Sequence, residues 1–301
     1  MSTGTGLVVA IVNPASGSAI EPLDLREALD HVGGAKWSET SADDPGAGAC
    51  RDAVEAGATT VIACGGDGTV RACLEALSGT DTALGIVPLG TGNLLATNLG
   101  LANELDAVPD AVRGPLRRID LGEVNGELFA VMAGSGFDAL MIRDANPSVK
   151  RRFGSIAYVV AAIRHLPARL VTTSVVVDGV QVWTGRTAMV LVGNCGMVTG
   201  GLQVFPDAQP DDGRLDVAVL AARTAREWAS VLWRLVRGVA QRPELVHRAT
   251  GRAVEVRTAK PRPYQLDGED RPPADELSFG IRPGALSVHT AVGDDAPVRD
   301  V

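Results

Sequence analysis

The sequence has almost no lysine. Lys36, Lys150 and Lys260 are the whole complement, and the remaining basic residues are arginine. No Gly-x-x-x-x-Gly-Lys-Ser/Thr occurs, which excludes a Walker-type phosphate loop and leaves few candidates for a lysine nucleophile. The four cysteines, Cys50, Cys64, Cys73 and Cys195, form no Cys-x-x-Cys pair. Three fall in strand- or helix-like apolar contexts, and together they read as buried reduced thiols of a cytosolic protein, rather than a disulfide framework or a zinc site. His31, His165, His247 and His289 are scattered and match no metal or triad spacing. No run approaches the roughly 18–20 apolar residues of a membrane span. The start of the chain carries neither a basic segment nor a long apolar one, so no secretory leader is expected. Basic charge is also short overall. The net charge of −8 argues against a nucleic-acid binder with a broad basic surface, although a local basic patch for anionic lipid or phosphate is compatible with it.

What is present is a chain of 301 residues, 46% hydrophobic and 21% charged, long enough to bury a large core and to divide into two domains. It is organised around residues 58–69. Val61-Ile62-Ala63-Cys64 reads as a buried parallel strand, stopped by Gly65-Gly66-Asp67-Gly68-Thr69, with helical composition from Val70 to Leu77. A strand, a glycine turn and a helix bring a phosphate close to bare backbone and to the N–H groups of the helix start. A carboxylate is out of place beside phosphates unless a cation bridges them. Asp67 therefore reads either as part of a Mg2+-nucleotide site or as the cap of a tight βα turn.

Flanking segments repeat the arrangement. Leu7–Val12 is a strand ending at Asn13-Pro14-Ala15-Ser16-Gly17, and Leu23–His31 reads as a helix. A strand over 36–41 and a helix over 49–56 lead into the central strand. Ala83–Val87 is the next strand and ends at Pro88-Leu89-Gly90-Thr91-Gly92-Asn93, before a helix from Leu94. Alternating strands and helices predict a parallel α/β sheet, and ligands of such sheets bind beyond the carboxyl ends of the strands. Three glycine- or asparagine-rich loops at successive strand ends are thus expected to converge.

Beyond residue 120 the pattern changes. Strand-like runs at 118–124 and 128–133 flank an Asn125-Gly126 turn, and 171–177 and 182–192 flank Asp178-Gly179. Further runs at 215–220, 253–258 and 286–290 mostly lack intervening helices, so a β-rich, antiparallel second half is expected. Two helices interrupt it. Ser155–Leu166 follows Lys150-Arg151-Arg152, and Arg226–Val239 carries Trp228, Val231, Leu232, Leu235, Val236 and Val239 on a broad face. Each reads either as a helix packed on the sheet or as a basic helix lying on a membrane surface.

Taken in order, Asn13-Pro14-Ala15-Ser16-Gly17, Gly65–Thr69, Pro88–Asn93, Asp120-Leu121-Gly122 and Leu266-Asp267-Gly268-Glu269 resemble the diacylglycerol kinase/sphingosine kinase superfamily, specifically its bacterial soluble lipid kinases. The likeness spans essentially the whole chain. Gly-Gly-Asp-Gly-Thr alone is shared with NAD kinases and phosphofructokinases; the combination is specific to lipid kinases. The resemblance implies an ATP-binding α/β domain over 1–120, completed by 287–301, and a β-sandwich-like lipid-binding domain over 121–286, with catalysis between them. It assigns nucleotide binding to Asn13, Ser16, Gly17, Gly65, Gly66, Asp67, Gly68, Thr69, Gly90, Thr91, Gly92 and Asn93. It gives the catalytic Mg2+ to Asp67 and Asp120, makes Asp267 the general base, and places Glu269 beside it to orient the base or bind metal. A second cation, Mg2+ or Ca2+, is implied at Gln209, Asp212 and the Arg214 carbonyl.

Two departures stand out. Arg71-Ala72 replaces the family's Asn/His-Glu pair, and Leu94 replaces an Asp, so one acidic contact is missing at each place, with Arg71 a candidate phosphate contact instead. The implied activity is ATP-dependent phosphorylation of a lipid hydroxyl, diacylglycerol first. The expected partners are ATP, Mg2+ and a lipid at the inner membrane surface, met by a cytoplasmic protein; no nucleic acid is expected, and a homodimer is compatible. The alternatives are a nucleotide-binding regulator that has lost catalysis and an NAD kinase-type phosphotransferase. The latter expects an Asn-Glu pair in a later loop, whereas Asn103-Glu104 falls in a helical linker.

Overall fold

A computed structural model of the chain describes residues 6–16, 20–102, 104–136, 170–198 and 202–292. Gly17, the helix expected over 155–166 and its basic approach lie outside the described residues. The chain divides into two compact units, Met1–Asp120 with Pro283–Val301, and Leu121–Arg282.

In the first unit strands and helices alternate: β1 (Leu7–Val12), α1 (Pro22–His31), β2 (Lys36–Glu39), α2 (Ala47–Glu55), β3 (Ala58–Gly65), α3 (Asp67–Leu77), β4 (Ala83–Pro88), α4 (Leu94–Asn98), a 3-10 turn (Glu104–Ala107) and α5 (Val108–Arg113). Pro22 opens α1 where its missing N–H costs nothing, and Gly33 and Gly34, both at positive φ, end it. The strands are parallel in the order β4-β3-β1-β2. Near the end of the chain Val288 adds a parallel partner opposite Leu84 of β4. Val61 to Cys64 and all of β4 are buried, as a sheet covered on both faces requires. On one side Val12, Ile62, Cys64 and Val87 pack against Leu25 and Leu29 of α1 and Val108 and Ala111 of α5. Gly85 is where α5 comes closest: a Cβ there would lie 2.0 Å from the Ala111 carbonyl oxygen.

β5 (Leu116–Val124) leads into the second unit. There follow β6 (Glu127–Phe129), β7 (Met132–Ser135), β8 (Val171–Val177), β9 (Val180–Thr187), β10 (Met189–Gly193), β11 (Met197–Val198), β12 (Leu202–Gln203), β13 (Leu215–Leu220), α6 (Ala225–Val236), β14 (Val246–Gly251), β15 (Val254–Leu266) and β16 (Glu269–His289). Pairing is antiparallel through β14-β13-β10-β7-β15-β16, with β8 also on β15 and β9 on β8. Three two-residue turns, Asn125-Gly126, Asp178-Gly179 and Asp267-Gly268, have both residues at positive φ, as tight hairpins demand. Val190, Val192, Val217, Val219, Val254, Val256, Leu266 and Leu277 fill the core, with Phe129 edge-on to Phe279 at 6.4 Å between centroids.

The second unit departs from expectation at its long hairpin. Sequence runs at 253–258 and 286–290 are the ends of two strands of 13 and 21 residues joined at Asp267-Gly268. Pro261, Pro263, Pro272 and Pro273 interrupt the alternation, and the register shifts between Arg257 and Arg262 and again before Tyr264. The run expected over 182–192 is likewise two strands, separated at Ala188.

Candidate functional site

In the first unit the register sets the strand ends level. Val12 lies opposite Cys64, Cys64 opposite Val87 and Gly65 opposite Pro88. The main chain continues the pairing one step into the loops: Asn13 N–H donates to the Cys64 carbonyl and Leu89 N–H to that of Gly65, each at 2.9 Å. Three loops therefore leave the same edge of one sheet, at the end where open parallel sheets take their ligands.

The loops also hold one another. Asn13 Nδ2 donates to Thr69 Oγ1 at 3.4 Å, while Asn13 Oδ1 accepts from Ala15 N–H at 2.9 Å and so shapes its own turn. Asp67 joins the second loop to the third. Its Oδ2 accepts from Asn93 N–H at 2.9 Å and its Oδ1 from Leu94 N–H at 2.7 Å. It thereby caps α4 from another loop, where a negative charge suits the helix start. Asn93 takes the left-handed conformation, φ 49°, and closes the third loop through Gly90 N–H and C=O, at 3.1 and 2.9 Å.

The glycines serve these contacts as well as any ligand. A Cβ on Gly90 would fall 2.5 Å from the Gly66 Cα, and one on Gly92 would fall 2.3 Å from Asp67 Oδ2. Gly66 caps α3 without a side-chain hydrogen bond. Loops of this kind, at the start of an 11-residue helix, suit an anion. Ser16 and Thr91 lie on the first and third of these loops, and Gly68 in the first turn of α3.

Asp120 is buried at 2% exposure, and its Oδ1 accepts from Gly284 N–H at 2.7 Å, so it fastens the returning strand where Gly284 turns through positive φ. Arg71 pairs with Glu75 one turn along α3, at 3.2 Å.

In the second unit Asp267 is the hub. It sits at the tip of the β15–β16 hairpin, φ 46°, with 8% exposure. Its carboxylate gathers three consecutive main-chain amides: Ala130 N–H on Oδ2 at 2.7 Å, and Val131 and Met132 N–H on Oδ1 at 2.9 Å each. Its own N–H returns to the Met132 carbonyl at 2.9 Å. Asn194 and Cys195 N–H then hold the Val131 carbonyl. Three amides fix the plane of the carboxylate.

Glu269 pairs with Arg271 at 3.4 Å, and Arg271 reaches Glu127 of β6 at 2.7 Å. This Glu127–Arg271–Glu269 chain was not anticipated. Its one signal in the sequence is an arginine two residues past Glu269, the same-face spacing of a strand.

The expected second cation site is a turn in which Asp212 Oδ1 accepts from Arg214 N–H at 2.9 Å, with Gly213 at φ 71°. Nearby, burial pushes the Asp216 carboxyl above its usual range; Thr250 opposes this, and the charges of Asp212 and Asp207 add to it. Such crowding of negative charge is what a cation relieves. Among the described residues no three His, Cys, Asp or Glu side chains converge to hold a metal. A hard cation here would therefore draw on carbonyl and amide oxygens such as those of Arg214 and Gln209. A Mg2+ ion accompanying a nucleotide would be met differently. Such an ion typically takes one or two protein carboxylates beside phosphates and water, and Asp67 and Asp120 are the carboxylates that would hold it.

Residues 7–124 match the family described as the diacylglycerol kinase catalytic domain, and residues 131–290 that described as the YegS C-terminal NAD kinase beta sandwich-like domain. A protein of Pseudomonas fluorescens described as "Probable lipid kinase YegS-like" is 35% identical over 251 residues, 82% of each chain. A diacylglycerol kinase of Bacillus subtilis is 29% identical over 268 residues, 86% of this chain and 88% of its own. Among solved structures, a diacylglycerol kinase of Bacillus anthracis superposes with a TM-score of 0.78 at 20% identity, covering 97% of this chain and 99% of its own. An NAD kinase of Archaeoglobus fulgidus shares the fold more distantly, with a TM-score of 0.53 at 12% identity over 94% of both chains. With two family models spanning most of its length and a relative 35% identical over 82% of both chains, the chain belongs to the diacylglycerol kinase/YegS family of lipid kinases.

Proposed function

We propose that this protein transfers the γ-phosphoryl group of ATP to a lipid hydroxyl, with diacylglycerol the first candidate and phosphatidic acid its product. The observation that carries the reading is the convergence of three loops at the level ends of β1, β3 and β4. N–H, amide and hydroxyl groups of Asn13, Ser16, Thr69, Thr91 and Asn93 suit phosphate and ribose oxygens there, and the start of α3 favours their charge. Asp67 holds the second and third loops in one arrangement, so a nucleotide meets a cradle already formed. Mg2+, when bound with the nucleotide, neutralises phosphate charge, and Asp67 and Asp120 are the residues assigned to it.

Asp267 is assigned the proton. Its carboxylate accepts the hydrogen of the lipid hydroxyl as that oxygen bonds to the γ-phosphorus and the bond to the ADP oxygen breaks. The three amides keep the carboxylate in one orientation. Glu269, steadied by Arg271, stands two residues away to orient the base.

The test is mass spectrometry of a total lipid extract incubated with the protein and Mg-ATP. Diacylglycerol, or another hydroxylated lipid, is expected to gain one phosphate in step with ADP release. ATP binding without phosphate appearing on any lipid would instead assign a regulatory role.

A further inference from the structure

We propose that the exposed end of α6, residues 233–242, is a docking surface for a bilayer carrying anionic headgroups. The helix starts in an ordinary way. Thr224 accepts from Glu227 N–H while the Glu227 carboxylate accepts from Arg223 and Thr224 N–H, so the one acidic side chain of this segment is engaged at the helix start. Trp228, Val231 and Leu232 are buried and fix the helix to its own unit. Away from that buried stripe three apolar side chains stay open: Trp233 keeps 55% of its surface exposed, and Val236 and Val239 keep 43% each.

The chain then folds back on itself. Val239 N–H donates to the Arg234 carbonyl at 2.9 Å, Arg234 Nη1 donates to the Ala240 carbonyl at 2.6 Å, and Gly238 turns through φ 61°. This knuckle sets Val239 beside the last turn of the helix. The Arg237 guanidinium lies over the Trp233 ring at 5.5 Å.

Charge selects the occupant. Between residues 223 and 242 the sequence holds Arg223, Arg226, Arg234, Arg237 and Arg242 against Glu227 alone, in a chain whose net charge is −8. An anionic surface repels the protein as a whole and attracts it here. An indole and two valines with arginines beside them are the composition that seats at the boundary between headgroups and acyl chains, where each cation near the surface adds to the attraction. The purpose of the surface rests on the lipid-kinase reading; its existence is tested apart from that reading.

The full chain is sedimented with vesicles of phosphatidylglycerol and phosphatidylcholine in equal parts, and with vesicles of phosphatidylcholine alone. It is expected to pellet with the first, to be released by high salt, and to stay largely in solution with the second. Arg234→Gln with Arg237→Gln should lower partitioning about 30-fold. Trp233→Ala should lower it about tenfold. Acyl chains brominated near the headgroup should quench tryptophan emission in wild type and much less in Trp233→Phe, a variant that keeps the apolar bulk. Equal binding by wild type and variants, equal binding to neutral vesicles, or Trp233→Ala dissolving a lipid-free dimer while vesicle binding persists would each overturn the proposal. Turnover of diacylglycerol dispersed in neutral detergent separates the two ideas. The variants should match wild type there, and a wild type inactive on every dispersed lipid would sink the kinase reading while leaving the vesicle result to stand.

Discussion

Asp67 and Asp267 each sit in a glycine turn and each bind main-chain amides, yet the two turns do different work. Asp67 takes two amides from a loop 26 or 27 residues further on, at the neighbouring strand end of one parallel sheet. Asp267 takes three amides from a segment more than 130 residues earlier, under a hairpin tip. The first ties together loops that the sheet already places side by side. The second clamps the chain just before β7 to the tip of a hairpin whose strand β15 already pairs with β7, so it joins pieces far apart in sequence. A carboxylate in a glycine-rich turn is therefore a joint before it is a ligand, and what it joins decides how much depends on it.

Replacing the aspartates separately tests that contrast. Asp267→Ala strips three buried amides of their acceptor and should cost about 3 kcal/mol or more, at roughly 1–3 kcal/mol per unsatisfied buried group. Asp67→Ala loses two part-buried bonds and a helix cap, for about 1–2 kcal/mol. Urea unfolding checks both, and equal losses would break the comparison. Next in size is Gly90→Ala. Its Cβ meets the Gly66 main chain, which cannot yield as a side-chain tip can, so the second and third loops must part. ATP affinity should fall about tenfold, on the order of 1.4 kcal/mol, while KM for the lipid holds.

Smaller still is the effect of Arg271. Arg271→Gln breaks pairs to Glu127 and Glu269 that are partly open to solvent, so about 1 kcal/mol or less is expected in stability. Turnover should fall more than KM changes, and Arg271→Lys should restore part of it; a change in KM alone would remove Glu269 from the account. The smallest effect lies away from both turns. Asp44 accepts from Gly46, Gly48 and Ala49 N–H at the start of α2. The Gly48 and Gly46 bonds pull its carboxyl below the usual range, burial partly opposes them, and the Ala49 N–H and the Arg51 charge add to the lowering. A lowered folded value means the stabilisation is present above the unfolded value of 3.8 and is lost as pH falls through the folded one. The gap in melting temperature between wild type and Asp44→Asn should therefore be full at pH 7 and close in acid.

The same contrast explains what was legible in the sequence. In the first unit β1, β3 and β4 are short apolar runs stopped by an Asn-Pro, a glycine or a proline, so their order and the convergence of Asn13, Gly65–Thr69 and Gly90–Asn93 could be read directly. In the second unit pairing is antiparallel and long-range, and the hairpin that carries Asp267 is broken by five prolines and two register shifts. Its strands read as fragments. Asp267 itself was found through the resemblance of Leu266-Asp267-Gly268-Glu269, because nothing local marks Ala130 to Met132 as its partners. The amide clamp of Asp67 on Asn93 and Leu94 was open to neither route, since an aspartate capping a helix in another loop has no fixed spacing.

The central claim is a division of labour between the two aspartate turns, and Asp267→Asn addresses it most directly. The amide can still accept from Val131 and Met132, although its NH2 group turns toward Ala130 N–H, so the comparison belongs well below the melting temperature. Calorimetric titration with Mg-ATP and single-turnover lipid phosphorylation are measured on the same preparation. The account predicts ATP affinity within a few-fold of wild type and a phosphoryl-transfer rate lower by about a hundredfold or more. Retention of the full rate would contradict it.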